Sequence, residues 1–145
     1  MDKNKAAYKL KKLPPIYYIN LDDQPERAQY IEDQFKYWEI DNYTRISAYD
    51  GRRDDLSEII KGRYPDNMTS GEIGCTTSHL KAIRYWYETS DSPYAMIAED
   101  DLNLDLVKYW NFTWTEFSSA AIYIDGLRSR KSVFYSWFDV FLHFL

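Results

Sequence analysis

From residue 14 onward, segments with the apolar pattern of β-strands alternate with segments whose apolar residues recur at helical spacing. Runs rich in β-favouring residues predict strands at 14–21, 43–48 and 94–98. Between the first two strands, a helix is predicted from apolar residues at helical spacing, namely Ala28, Ile31, Phe35 and Trp38. Residues 54–62 indicate a second, short helix. Because strand, helix and strand in this order form a βαβ unit, we expect an α/β domain with a mainly parallel central sheet flanked by helices.

The segment that begins at residue 69 predicts the most informative helix. Thr69 and Glu72 have the spacing of a capping box. Two adjoining sectors of the helix are apolar or small, one with Ile73, Thr76, Leu80, Ile83 and Tyr87, the other with Cys75, Ser78, His79, Ala82 and Trp86. We therefore expect the helix to be covered on two sides. Gly71 and Gly74 weaken its first turns, a cost that close approach of a strand or a ligand would justify.

Three consecutive acids, Glu99, Asp100 and Asp101, directly follow the strand at 94–98. The carboxyl ends of strands are where α/β sheets bind ligands. Strand alternation, if it persists, puts Glu99 and Asp101 on one side, where two carboxylates suit a hard divalent cation, Mg²⁺ or Mn²⁺. The alternative is a solvated turn that caps the next helix, and the residues alone favour neither. The lack of any Cys/His cluster in the sequence counts against zinc.

Composition narrows the class of protein. The 145 residues suit one domain, and the net charge of −5 argues against a nucleic-acid binder. A single cysteine, Cys75, excludes an intramolecular disulfide and fits a reducing, cytoplasmic location; we expect it to pack as a small apolar residue. Residues 1–13 are basic without an apolar signal segment, and we expect a disordered leader there.

Four blocks of the sequence carry a resemblance to a known family. They are IYYINLDDQPERAQYIEDQF, RISAYDG, TSGEIGCTTSHLKAIRYW and YAMIAEDDLNL. In this order, over residues 14–117, they resemble glycosyltransferase family 25, which includes lipooligosaccharide and collagen hydroxylysine galactosyltransferases. The specific part is the Gly-Glu-Ile-Gly-Cys…Ser-His block with Glu-Asp-Asp about 20 residues later.

The resemblance implies a GT-A, Rossmann-like domain and an inverting, metal-dependent hexosyltransferase. Its donor would be a UDP-sugar, UDP-galactose or a related hexose, its cofactor Mn²⁺ or Mg²⁺, and its acceptor a saccharide or other hydroxylated molecule, as in lipopolysaccharide biosynthesis. The cation would neutralise charge that develops on the nucleoside diphosphate leaving group.

The resemblance also suggests roles for single residues. Asp101 and then Glu99 are the expected metal ligands, and Asp100 could reach ribose or sugar hydroxyls. The other candidates for nucleotide-sugar binding are Asn20, Leu21, Arg27, Asp50, Ser78 and His79. Each has a structural alternative: a strand-ending turn for Asn20 and Leu21, an exposed helix arginine, an Asp-Gly turn for Asp50, and core packing for Ser78 and His79.

The resemblance ends at about residue 117, and we expect 118–145 to be a divergent tail with a shortened C-terminal half of the fold. Residues 132–145 predict an amphipathic helix with polar positions at Ser132, Ser136, Asp139 and His143. It is too short to span a bilayer; we expect it to dock on an uncovered sheet, with a membrane surface or a second subunit as alternatives.

The catalytic base stays unassigned, although Asp125 would be a candidate if it ended a strand. An alternative function is therefore a truncated relative that binds nucleotide sugar better than it transfers one, and that serves as a binding or partner module or is a decayed fragment.

Overall fold

The structure of the chain, a computed structural model, describes residues 4–125 and 132–135. Its elements are β1 (Ile16–Asn20), α1 (Pro25–Tyr37), β2 (Tyr43–Ser47), α2 (Ser70–Thr89), β3 (Tyr94–Glu99), α3 (Trp114–Asp125) and β4 (Ser132–Tyr135), with 3₁₀ helices at Ala7–Leu10 and Asp105–Tyr109. The first three predicted strands and the two long predicted helices are confirmed, with ends shifted by one or two residues.

The described strands form one parallel sheet in the order β2-β1-β3-β4. Ile16 of β1 pairs with Tyr43 of β2 on one side and with Met96 of β3 on the other. The chain therefore moves outward from β1 to β2, then crosses back and continues on the opposite side. This reversal is the topological switch point of a doubly wound sheet. It confirms the predicted α/β, Rossmann-like domain of GT-A type.

The two long helices cover opposite faces of the sheet. On one face, Ile31 and Phe35 of α1 pack in a cluster with Ile16 and Tyr18 of β1. On the other face, α2 contributes to a second cluster with the alternate β1 residues, made of Tyr17, Ile19, Ile46, Ala82, Trp86, Ala95 and Ile97. The buried face predicted for α1 is confirmed, with Ala28 only partly buried.

The buried surface of α2 is narrower than its sequence predicts. Ser78, Ala82 and Trp86 are buried, but Leu80 is 57% and Tyr87 65% exposed. The expectation that α2 is covered on two sides is therefore wrong for the described structure. Helical periodicity identifies apolar positions, but it does not tell whether another element covers them.

Residues 54–62 form turns and not the predicted short helix. The Leu56 carbonyl accepts from the amides of Ile59 and Ile60 at 3.0 and 2.9 Å. Leu56 is buried while Ile59 is exposed. A segment this short needs tertiary packing to stay helical, and one buried leucine does not supply it.

The basic leader is ordered from residue 4 onward, contrary to expectation. Ala7 and Leu10 are buried, and Leu10 joins the cluster beneath α1. The Lys9 ammonium donates to the carbonyl oxygens of Val107, Lys108 and Trp110 at 3.2, 2.8 and 2.7 Å. One lysine thus closes the carboxyl end of the 3₁₀ helix at Asp105–Tyr109, where carbonyls lack helical partners.

The C-terminal segment differs from its predicted structure. Asp125 ends helix α3, so it does not end a strand as the candidate base would require. Residues 132–135 pair in parallel with β3, and the amphipathic helix predicted there is wrong for these four residues. The rest of that predicted helix, 136–145, lies outside the described residues. Within the described chain, no helix combines the length and hydrophobicity needed to cross a bilayer.

The turn after β2 packs backbone to backbone against the first turns of α2. A Cβ atom on Gly74 would lie 2.5 Å from the Gly51 nitrogen and 2.8 Å from the Tyr49 carbonyl oxygen, and one on Gly51 would overlap the Ser70 carbonyl group. Gly71 has no such neighbour, its nearest being the Thr69 hydroxyl at 4.0 Å. A close approach is therefore present at Gly74 and not at Gly71, and its partner is this turn rather than the expected strand or ligand.

Gly74→Ala should lower the free energy of unfolding by about 1–3 kcal/mol, because rigid backbone atoms occupy the space of the added methyl group. Gly71→Ala is the matched control and should leave stability unchanged or slightly raised, since alanine favours helix. Thermal unfolding of both variants measures the difference, which corresponds to about 2–4 °C in Tm per kcal/mol. Equal stability of the two variants would contradict the packing argument.

Candidate functional site

A cleft lies at the carboxyl ends of β1 and β3, beside the first turns of α2. Its volume is about 230 Å³. Eight of the nine residues singled out from the sequence line it: Asn20, Leu21, Arg27, Asp50, Ser78, His79, Glu99 and Asp100. The ninth, Asp101, lies in the turn that follows β3, with its side chain 67% exposed. The topology thus gathers residues that are spread over eighty positions of the sequence.

A larger cleft of about 830 Å³ lies near the opposite edge of the sheet, beside Pro15, Asn42 and Tyr94 at the amino ends of the strands. Doubly wound sheets bind their ligands at the carboxyl ends, at the switch point. The smaller cleft occupies that position and is lined by more charged side chains than the larger one. We therefore take the smaller cleft as the candidate site.

Asn20 joins the two strand ends across the switch point. Its side-chain amide donates to the Asp100 carboxylate at 2.6 Å and to the Gln24 carbonyl oxygen at 3.0 Å. The side-chain oxygen of Asn20 accepts a hydrogen bond from the Arg45 guanidinium at 2.8 Å. Since Asn20 is almost fully buried, these hydrogen bonds replace those that its side chain makes to water in the unfolded chain. Asn20 therefore acts in the fold by holding Asp100 at the cleft.

Arg27 makes the cluster of three acids tolerable. Its guanidinium lies 2.5 Å from one Asp100 oxygen and 3.5 Å from an Asp101 oxygen. Asp100 is buried between Arg27 and Asn20, whereas Asp101 faces solvent. Glu99 turns away from both, towards α2. The three carboxylates thus have three different environments, which reduces their mutual repulsion.

Glu99, His79 and Cys75 form a compact polar group on the α2 side of the cleft. A Glu99 oxygen lies 3.0 Å from His79 Nε2 and 3.6 Å from the Cys75 sulfur. Hydrogen bonds with Cys75 and Glu99 raise the pKa of His79 to about 9, against the opposing effect of burial. The His79 hydrogen bond in turn lowers the pKa of Glu99. The two side chains therefore form an ion pair at neutral pH.

Cys75 is exposed and does not pack as the small apolar residue that we expect from the sequence. It lies one helical turn before His79, so both side chains reach the same end of β3. The sequence signal for this grouping is the four-residue spacing of Cys75 and His79.

Asp50 organises the turn that forms one wall of the cleft. Its buried carboxylate accepts from the guanidinium groups of Arg52 at 3.0 Å and Arg53 at 2.6 Å, and from the Arg52 amide. Hydrogen bonds from Arg52 and then Arg53 hold the pKa of Asp50 well below its usual value. Arg53 also pairs with Asp23 in the loop between β1 and α1. Asp50 thus holds two arginines beside the cleft.

Ser78 fixes this turn to α2. Its hydroxyl donates to the Gly74 carbonyl oxygen at 2.6 Å and accepts from the Tyr49 amide at 2.8 Å. The residue is almost fully buried. Its two described contacts are therefore within the protein, as in the core-packing alternative.

Several residues of the cleft are not among the sequence candidates. Tyr49, Gly51, Arg52, Gly71 and Cys75 also line it, and Arg45 supports Asn20 from β2. Arg52 directly follows the Asp-Gly turn, and this position is the signal that could have identified it.

A family model described as glycosyltransferase family 25 (LPS biosynthesis protein) matches residues 13–137. The match includes all four motif blocks and continues beyond residue 117, through α3 and β4. Neither the curated proteins nor the solved structures gave a significant match to the chain.

Replacing Glu99 with glutamine should lower the pKa of His79 from about 9 part of the way towards its ordinary value of about 6.5. The larger effect, the hydrogen bond with Cys75, remains, but the carboxylate that also stabilises the imidazolium is gone. Titration of the imidazole signals by NMR measures this shift, with a His79→Gln spectrum to separate His79 from His143. Glu88→Gln, an exposed acid on the same helix, is the control and should leave the titration unchanged.

The same pair predicts the pH dependence of stability. Because the folded-state pKa of His79 is raised, its contribution is complete below about pH 6.5 and is lost as pH rises through about 9. The free energy of unfolding should fall more across this range in the parent chain than in Glu99→Gln. An identical pH profile would mean that the ion pair is not formed.

Proposed function

The chain belongs to glycosyltransferase family 25 and is a transferase, and we propose that it transfers a hexose from a UDP-sugar to a hydroxyl group of a glycan or other hydroxylated acceptor. The donor is UDP-galactose or a related UDP-hexose, and the reaction uses Mn²⁺ or Mg²⁺ and inverts the anomeric centre. The observation that carries this proposal is the cleft at the switch point, which combines Glu99 and Asp100 at the end of β3 with two arginines and the first turns of α2.

The acids at this cleft fit a hard divalent cation. Asp101 is exposed, and its one described contact is the long ion pair with Arg27. Glu99 uses one described oxygen towards His79 and Cys75, which leaves its second oxygen for a ligand. Asp100, in contrast, has one oxygen on Asn20 and the other on Arg27. Asp101 and the second oxygen of Glu99 would hold the cation, although the strand alternation assumed for them from the sequence ends at Glu99. Asp100 would orient Arg27.

The cleft also suits a diphosphate. Gly71 borders the cleft in the first turn of α2 and has open space around it, so an anion can approach the backbone amides of the helix N-terminus. The arginines Arg27 and Arg52 also line the cleft, each more than 40% exposed. They would bind phosphate oxygens, while Leu21 and the end of β1 would face the nucleoside.

These groups would act on the leaving group of the reaction, UDP. A divalent cation held there would neutralise the charge that develops on UDP as the bond between the anomeric carbon and the phosphate oxygen breaks. Asp101 and Glu99 would hold the cation. Asn20 and Arg27 hold Asp100, which keeps the geometry of the acid cluster. In an inverting transfer the acceptor oxygen bonds to the anomeric carbon from the opposite side and its proton passes to a base.

Replacing Asp101 with alanine should weaken UDP binding in the presence of Mn²⁺ by at least about 10-fold, because one cation ligand is lost. Calorimetric titration with UDP measures the affinity. Asp105→Ala removes another exposed acid four residues later and should bind like the parent chain. With EDTA in place of Mn²⁺, all three proteins should bind UDP equally weakly. Unchanged Mn²⁺-dependent affinity in Asp101→Ala would refute the assignment.

The donor and the reaction are tested with a panel of nucleotide sugars. We expect Mn²⁺-dependent binding of UDP-hexoses in preference to GDP- or CMP-sugars, and transfer to an acceptor array that includes lipopolysaccharide saccharides. Binding and slow donor hydrolysis without transfer would refute the transfer reaction and leave donor binding intact. Absence of binding to every UDP-sugar would refute both.

A further inference from the structure

We propose that Cys75, His79 and Glu99 form a three-ligand site for a borderline transition metal such as Zn²⁺ or Co²⁺. The ligand atoms are the Cys75 sulfur, a ring nitrogen of His79 and a Glu99 carboxylate oxygen, all within 4.8 Å of one another. This site goes beyond the hard-cation site of the proposed function, with which it shares Glu99. It uses the Glu99 oxygen that faces His79 and Cys75, and neither Asp100 nor Asp101.

Two secondary-structure elements bring the three ligands together. Cys75 and His79 are four residues apart on α2, so they lie one above the other on the same face of the helix. Glu99 is the last residue of β3, and α2 packs on this side of the sheet. The ligands are therefore supported by a helix and a strand rather than by a loop, which favours a fixed geometry.

The distances suit a tetrahedral ion. Bond lengths of about 2.3 Å to sulfur, about 2.0 Å to nitrogen and about 2.1 Å to oxygen place tetrahedral ligands roughly 3.4–3.6 Å apart. The sulfur–oxygen distance is 3.6 Å and the nitrogen–oxygen distance is 3.0 Å. A small outward movement of the imidazole therefore makes room for the ion.

The ligand set and its access indicate the class of metal. Sulfur and imidazole nitrogen select zinc-like ions over Mn²⁺ and Mg²⁺, which prefer oxygen. Cys75 is exposed and all three residues line the cleft, so an ion can enter and keep a fourth position for water or a ligand oxygen. Three protein ligands with one open position are typical of exchangeable or catalytic zinc rather than of closed structural sites.

Titration of the full chain with Co²⁺ tests this site by absorption spectroscopy. Because Cys75 is the sole cysteine in the sequence, a thiolate-to-cobalt charge-transfer band reports on this residue alone. We expect a stoichiometric band in the parent chain that Zn²⁺ displaces. The band should be absent in Cys75→Ser. In His79→Gln and Glu99→Gln, the affinity of the protein for Co²⁺ should fall by at least about 10-fold.

The matched control is Asp101→Asn, which should keep the cobalt band and its affinity. This variant separates the two sites, since it should lose Mn²⁺-dependent UDP binding if the proposed function is right. Circular dichroism verifies that each variant is folded. Absence of the band in the folded parent chain would overturn the proposal. So would a Co²⁺ affinity in His79→Gln and Glu99→Gln equal to that of the parent chain, because the band would then report binding to the cysteine alone.

Discussion

The burial of β1 on both faces is the constraint on which the remaining structure depends. All five residues of this strand are buried, and it pairs in parallel with β2 and β3. Parallel strands of this kind need helices on both sides, so α1 and α2 must cover opposite faces. The crevice at the carboxyl ends of β1 and β3 results from this arrangement. Asn20, buried at its base, then requires polar partners, and Asp100 is one of them.

The parts of the molecule that follow from local physics could be predicted from the sequence. The capping box of Thr69 and Glu72 is formed as expected, and the β-rich run before Asn20 is the central strand. The acids after the strand at 94–98 lie at the carboxyl end of the sheet, where ligand binding is expected. The described cleft brings most of these candidates together.

The parts that depend on distant packing could not be predicted in this way. Leu80 and Tyr87 have helical spacing, but the described structure leaves them exposed. The alternation of side chains between the two faces of the sheet stops at Glu99, where β3 ends. Asp101 lies in the turn that follows, so the strand pattern does not predict the direction of its side chain. Cys75 reaches Glu99 only because α2 crosses the sheet at this point. Residues 132–135 form a strand because β3 offers an edge for them to pair with.

The contact between Gly51 and Gly74 connects two motifs that are separate in the sequence. Each glycine is required by the backbone of the other motif, and neither requirement can be relaxed by rearranging a side chain. The Asp-Gly turn and the Gly-Glu-Ile-Gly helix start therefore behave as one interlocking part. A chimera that exchanges either segment alone would join surfaces that do not match, whereas exchange of both segments together would preserve the joint. Recombination during evolution faces the same geometric condition.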